Sequence, residues 1–407
     1  MASVAGGLLF LFLHIFAAHA NNYIASSSSP PKFFNVLSYG AIPDGQTDNS
    51  QAFSKAWNEA CKWNNRNGQN VVLVPSGTFM VNSVLFMGPC RSRMVFMLRG
   101  VIKAPSNPSL FFTDTWIGFR YINGLVVKGG GTIDGQGNFA WPYNDCFTNR
   151  QCKTLPVSMR FDFITNGRVR NLRSINSKNG HFTLYSCNNL NITKIRLTAP
   201  EESPNTDGIK IGMSTNIKIS HSIIGTGDDC IAMLSGSENI DISSVLCGPG
   251  HGISIGSLGN NVAKEFVRGV KLRNCTFVST QNGLRIKTRP SSFPSFVSDV
   301  IFSGITMANV NNPLIIDQQY CPQGNCFYQE ERNAGVMIND VTFMNIWGTS
   351  RSEVAINLQC SEDIPCQNVK LVNINLAYSS TSAKQMVSKC VNVKGVSYGR
   401  IQPSGCL

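Results

Sequence analysis

The apolar residues of this chain come in short clusters, set apart by polar and turn-forming residues. Leu125-Val126-Val127, Val169, Leu190-Asn191-Ile192, Ile217-Lys218-Ile219 and Ile240-Asp241-Ile242 mark successive units. Val270-Lys271-Leu272, Val300-Ile301-Phe302, Val341-Thr342-Phe343 and Val369-Lys370-Leu371 continue them, and an Asn, Asp or Gly commonly stands just before the first apolar residue. The repeat begins near Tyr121 and clusters at roughly 25 to 30 residues, the range of solenoids. Each unit holds two or more short strands and no run of helical period, which predicts a parallel β-helix whose coils bury one continuous apolar column. A leucine-rich repeat would need a recurring leucine framework that is absent.

One stretch breaks the pattern. Ala52, Phe53, Ala56, Trp57 and Ala60 recur at helical spacing after Asp48, which is placed to cap a short helix. Such a helix would cover the first open coil. Val71 to Val74 then reads as a buried strand, ended by Pro75 and Gly77. The expected fold class is all-β, a single solenoid domain over residues 32–407 with an N-terminal capping helix.

Composition agrees with that reading. Among 407 residues there are 36 glycines and only 14% charged residues, which suits many turns and few long helices. The formal net charge is +12, yet the basic residues are scattered rather than blocked. An acidic partner is favoured over nucleic acid.

The N-terminus reads as an export signal over residues 1–20. Leu8 to Phe16 is an apolar core too short to span a bilayer, and Ala18-His19-Ala20 is a small-x-small cleavage site, although no Lys or Arg precedes the core. A Ser/Pro-rich arm over residues 21–31 follows. No later segment is long and apolar enough for a membrane helix, so a secreted chain with no membrane partner is expected. Fourteen cysteines fit an oxidising compartment. The close pairs Cys146/Cys152, Cys321/Cys326, Cys360/Cys366 and Cys390/Cys406 read as local disulfides. Cys187 and Cys275 fall inside apolar strand patterns and read as buried thiols. Asn191-Ile192-Thr193 and Asn274-Cys275-Thr276 are sequons for glycans.

Candidate chemistry concentrates between Ser203 and Lys287. Asn205-Thr206-Asp207-Gly208, Gly227-Asp228-Asp229-Cys230, Gly250-His251-Gly252 and Arg285-Ile286-Lys287 lie about one coil apart. Rungs of a β-helix stack at about 4.8 Å, so these groups should gather on one outer face. Crowded carboxylates push one pKa upward, which leaves one acid protonated beside others that are ionised. That is the equipment for cleaving a glycosidic bond. Taken singly, Asp207 could form an Asx turn, Asp228-Asp229 a solvated turn or calcium site, and Arg285 and Lys287 an exposed strand face. Neighbours on a regular strand face opposite ways, so Asp228 and Asp229 can cooperate only across a bend or bulge.

The four segments, complete and in this order, resemble the signatures of the polygalacturonases, family 28 of the glycoside hydrolases. Asp44-Gly45 to Cys61 and Gly131 to Gly137 are similar to plant members, above all the pollen-type exopolygalacturonases. The resemblance implies a right-handed parallel β-helix that hydrolyses α-1,4 bonds of polygalacturonic acid with inversion. It implies Asp228 as general acid, Asp207 and Asp229 as activators of water, and His251 as an assistant to the acid. Arg285, Lys287, Tyr320 and Asn205 would contact the sugar, and Cys230 would bond Cys247; His181 is placed on the same face, either as a further contact to the sugar or as a structural residue. No cofactor, no metal and a monomer are expected. Endo action, a calcium-dependent pectate lyase and a non-catalytic pectin-binding wall protein are the alternatives. A loop from Trp141 to Lys153 could close one end of the groove and favour exo action.

Overall fold

The computed structural model describes residues 29–144, 149, 152–259, 263–290, 293–322, 335–379 and 385–407. The export signal and most of the arm lie outside the described residues. Within them the chain winds as a right-handed parallel β-helix, with an 18-stranded and an 11-stranded parallel sheet forming its walls. Apolar residues of successive coils stand in register. Ile192, Ile219, Ile242, Leu272, Phe302, Phe343 and Leu371 form one such column, buried from end to end.

The residues that precede each apolar cluster have a structural reason. Asn166, Asn189, Asn216, Asn239, Gly269, Asp299, Asp340 and Asn368 all have φ between 50° and 68°. A left-handed turn there bends the coil, and Asn, Asp and Gly are the residues that adopt it most readily. The asparagines also bond along the column, with Asn189 Nδ2 donating to Asn166 Oδ1 at 2.7 Å.

Coils begin earlier than the sequence pattern suggests. Lys32–Asn35, Gln69–Val74, Arg93–Leu98 and Val126–Lys128 stack as one ladder. The helix Ser50–Lys62 interrupts the repeat and hides it. That helix buries Ala52, Phe53, Ala56, Trp57 and Ala60 against the open end, and Trp57 packs 4.9 Å from Phe86. Its capping position is Asn49, one residue later than expected. Asp48 still accepts from the Ser50 backbone N–H at 3.0 Å and from Asn82 Nδ2 at 2.8 Å, joining the helix start to the first coils.

Disulfides join Cys360 to Cys366 and Cys390 to Cys406, as the close spacing predicts, and Cys230 to Cys247. Cys61–Cys90, a pair too far apart to be read as local, ties the helix to the first coils. Cys152 and Cys321 are disulfide-bonded as well, while Cys146 and Cys326 lie outside the described residues. Cys187 and Cys275 are buried free thiols.

Candidate active site

The site stands where turns lead into the 11-stranded sheet. Asp207 lies just before the strand Ile209–Gly212, and Asp228 and Asp229 lie just before the strand Ile231–Met233. The required bend is present at Gly227-Asp228, outside the regular strand. Backbone bonds stack the turns: Gly208 N donates to Asp229 O at 2.9 Å, and His251 N to Asp228 O at 2.9 Å. Gly227 has to be glycine, since a Cβ there would meet the Ser203 carbonyl oxygen at 2.0 Å. The Thr206 hydroxyl accepts from the Gly227 N–H at 2.9 Å, so the Asn-Thr-Asp turn braces the Gly-Asp-Asp turn. The result is that one carboxylate oxygen from each of Asp207, Asp228 and Asp229 falls within 4.8 Å of the others.

The three carboxyls live in different surroundings. Asp229 is held by Arg285 at 2.7 Å, Lys287 at 2.9 Å and the Ser254 hydroxyl at 2.8 Å. Asp207 is buried, and burial pushes its pKa up to about 7; Asp228 and Asp229 add to that rise and Lys210 opposes it. Asp228 has the most open side chain of the three, 23% exposed against 6% and 2%. Its Oδ1 stands 3.1 Å from His251 Nδ1, and its pKa is lowered to about 2 despite opposing burial, chiefly by that bond and by the charge of His251. His251 is raised from its ordinary value by the same bond. Asp207 and His251 are therefore shifted towards their protonated forms, and Asp228 towards its ionised form.

Register explains the floor. Arg160, Thr183, Lys210, Ala232, Ser254, Arg285 and Ile315 occupy equivalent positions on successive rungs. Lys210 was not singled out from the sequence, yet its Nζ lies 2.9 Å from Asp207 Oδ1. The signal was available: three positions after Asp207 it leads one residue into the strand and shares the facing of Arg285. Ser254 was missed as well. Both basic residues of Arg285-Ile286-Lys287 point out of the coil as expected, but they are engaged with Asp229 rather than waiting free. Each keeps donors in reserve, because a guanidinium carries five N–H groups and an ammonium three.

The remaining expected contacts divide. The Tyr320 ring is 5.4 Å from Lys287 Nζ, beside the cationic end of the site. Asn205 is exposed at the rim, where its Nδ2 donates to Asn144 Oδ1 at 3.0 Å. Asn144 belongs to the root of the loop from Trp141 to Lys153, most of whose tip lies outside the described residues. His181 lies in the interior instead. It is fully buried, its Nδ1 stands 2.8 Å from Ser174 Oγ, and its backbone N–H supports the Asp207 carbonyl. Burial lowers its pKa to about 3, so it is a neutral interior residue beneath the turn and cannot reach a sugar. A period-two reading could not foresee this, since the chain bends between Asn179 and Phe182.

This geometry can be set beside known proteins. The family model described as "Glycosyl hydrolases family 28" matches residues 65–401. The chain belongs to that family. It is 44% identical to an exopolygalacturonase of Platanus acerifolia over 91% of this chain and 97% of that one. It is 41% identical to a polygalacturonase of Gossypium barbadense over 94% and 93%. Among solved structures it is similar to the endo-xylogalacturonan hydrolase from Aspergillus tubingensis, with a TM-score of 0.75 and 23% identity over 89% of this chain and 96% of that one. The likeness to that structure concerns the fold. As a member of family 28 the chain is a glycoside hydrolase, and its clustered aspartates are where such chemistry would be sought.

Proposed function

We propose that this chain is an exopolygalacturonase, which cleaves the terminal α-1,4 bond at the non-reducing end of polygalacturonic acid with inversion and releases galacturonic acid. The observation that carries the reading is the cluster of Asp207, Asp228 and Asp229 beside Lys210, Arg285 and Lys287. Glycoside cleavage needs a proton donor and a water activator. An anionic sugar needs cations, and Arg can hold its carboxylate bidentately. The exopolygalacturonase relatives favour exo over endo action.

Asp228 is the proton donor, since its side chain is the most open of the three to solvent. Below about pH 7 Asp207 holds a mobile proton. A bound sugar excludes water from Asp228, raises its proton affinity and draws that proton onto it. Asp207, left ionised, takes a proton from the attacking water together with Asp229. Spare donors of Arg285 and Lys287 bind the sugar carboxylate, with Tyr320 and Asn205 at the edges. The catalytic unit is residues 32–407, after an export signal over 1–20 and an arm over 21–31. The protein works as a secreted monomer in the plant cell wall, and the sequon residue Asn191 is exposed.

The test is the product profile from polygalacturonic acid at early times. Galacturonic acid alone is expected, with the reducing ends released and no ultraviolet-absorbing unsaturated product. Mixed oligomers from the start would replace exo with endo action. An unsaturated product would replace hydrolysis with elimination.

A further inference from the structure

The long sheet carries a second charged region that the cleavage chemistry does not use. The sequence has no Asp or Glu between Glu59 and Asp114, and none between Asp162 and Glu201. Those stretches supply strands Arg93–Leu98, Thr165–Ile175 and Asn188–Thr198, which are neighbouring rungs or nearly so. Arg93, Arg168, Arg170, Arg173, Lys194 and Arg196 are exposed there. Among the described residues none of them forms an ion pair. The carboxylate on the intervening strand Thr132–Asp134 is Asp134, whose Oδ1 accepts from the Gln136 backbone N–H.

The arrangement is ordered. Arg173 and Arg196 are register partners on adjacent rungs, about 4.8 Å apart along the stack. Like charges in that relation destabilise a sheet. Arg168 and Arg93 line one shallow depression, while Arg173, Lys194 and Arg196 line another. Arg170 and Arg173 flank the left-handed corner at Asn171, so the two depressions lie on either side of one bend of the coil.

We infer that this face is a second binding surface for a de-esterified stretch of galacturonan, away from the cleavage site, and that it holds the enzyme on its polymer. The inference rests on the proposed function for the identity of the polyanion. A chain with one carboxylate on every ring matches a field of unpaired, repeated cations. Nucleic acid fits less well, because Thr165–Ile175, Asn188–Thr198 and Thr215–Gly225 carry no Phe, Tyr or Trp for a base to stack on, and His221 is their one ring. Asn191, on the same face between Arg168 and Lys218 in register, heads a sequon, so a glycan there would shield the surface.

The test is retention on immobilised polygalacturonic acid through a salt gradient. It uses the full chain in an Asp228→Asn background, so that the matrix is not consumed, after enzymatic removal of any Asn191 glycan. One variant combines Arg168→Ser, Arg170→Ser, Arg173→Ser and Arg196→Ser. A control removes the same formal charge from the other half of the sheet through Arg268→Ser, Lys271→Ser, Arg273→Ser and Lys370→Ser. The first is expected to bind the polymer about tenfold more weakly at low salt, and the control within about twofold of the parent. With Asp228 restored, both should hydrolyse trigalacturonic acid at the parent rate, which also checks their fold. If the combined variant misfolds, Arg173→Ser and Arg196→Ser singly should each reduce retention. Unchanged retention, or equal loss in variant and control, overturns the proposal. So does tighter binding of the parent to phosphatidylserine vesicles than to the polymer. A parent that fails to cleave trigalacturonic acid refutes the enzyme assignment instead and leaves the retention result standing.

Discussion

Two regions of this solenoid use the same cations in opposite ways. Along the site, Lys210 faces Asp207, and Arg285 and Lys287 face Asp229, with side chains at most 29% exposed. Along the N-terminal half of the long sheet, arginines stand in register in solvent and, among the described residues, without an ion pair. Paired and buried charges fix positions, because removing one partner strands the other in a poor solvent. Unpaired and exposed charges fix nothing in the fold and stay available to a partner from outside. The same rung geometry thus makes a rigid centre on one wall and an open one on another.

That contrast can be broken most severely at Asp228. Asp228→Asn keeps the shape and removes the proton donor, so kcat should fall about a hundred- to ten-thousandfold, read as galacturonic acid release, with thermal stability little changed. Next comes the cation that the sequence reading overlooked. Lys210→Met deprives Asp207 of a charge that lowers its pKa, which already stands at about 7. Asp207 would then keep its proton to higher pH and release it less readily to Asp228. The pH profile of kcat/KM should show the alkaline limb displaced upward and the plateau reduced about tenfold or more. An unmoved limb would mean that Asp207 is not the proton's resting place.

Smaller effects sharpen the picture. The Cys230–Cys247 bridge closes a separation of 17 residues that begins where the acidic turn ends. Replacing both cysteines with alanine should lower unfolding free energy by about 3 kcal/mol on the chain-entropy model, measured by denaturant titration. The smallest effect is expected on the cationic wall. Arg173→Thr relieves repulsion with Arg196 and should raise stability by about 0.2 to 1 kcal/mol, while activity on short oligomers is unaltered.

Much of this was visible in the amino-acid order, for identifiable reasons. Coils from Tyr121 onward could be read because each left-handed corner demands Asn, Asp or Gly just before an apolar pair. The earlier coils escaped because the helix Ser50–Lys62 interrupts their spacing. Asp207, Asp228, Asp229 and His251 were found as candidates because each sits in a turn with its own glycine, and the structure brings all four together. Lys210 was hidden by its ordinary place in a strand, where only rung-to-rung register reveals what stands beside it. His181 was misplaced because burial in a bend leaves no periodic trace.

The left-handed corners have a consequence for how this architecture can vary. A bend made by one residue leaves no slack, so neither insertion nor deletion is tolerated there without skewing every rung above it. The turns that carry loops, such as the one rooted at Asn144, are under no such constraint. Changes in chain length among descendants should therefore accumulate around the mouth of the groove. How much polymer the mouth admits can then drift, while the catalytic rungs beneath stay as they are.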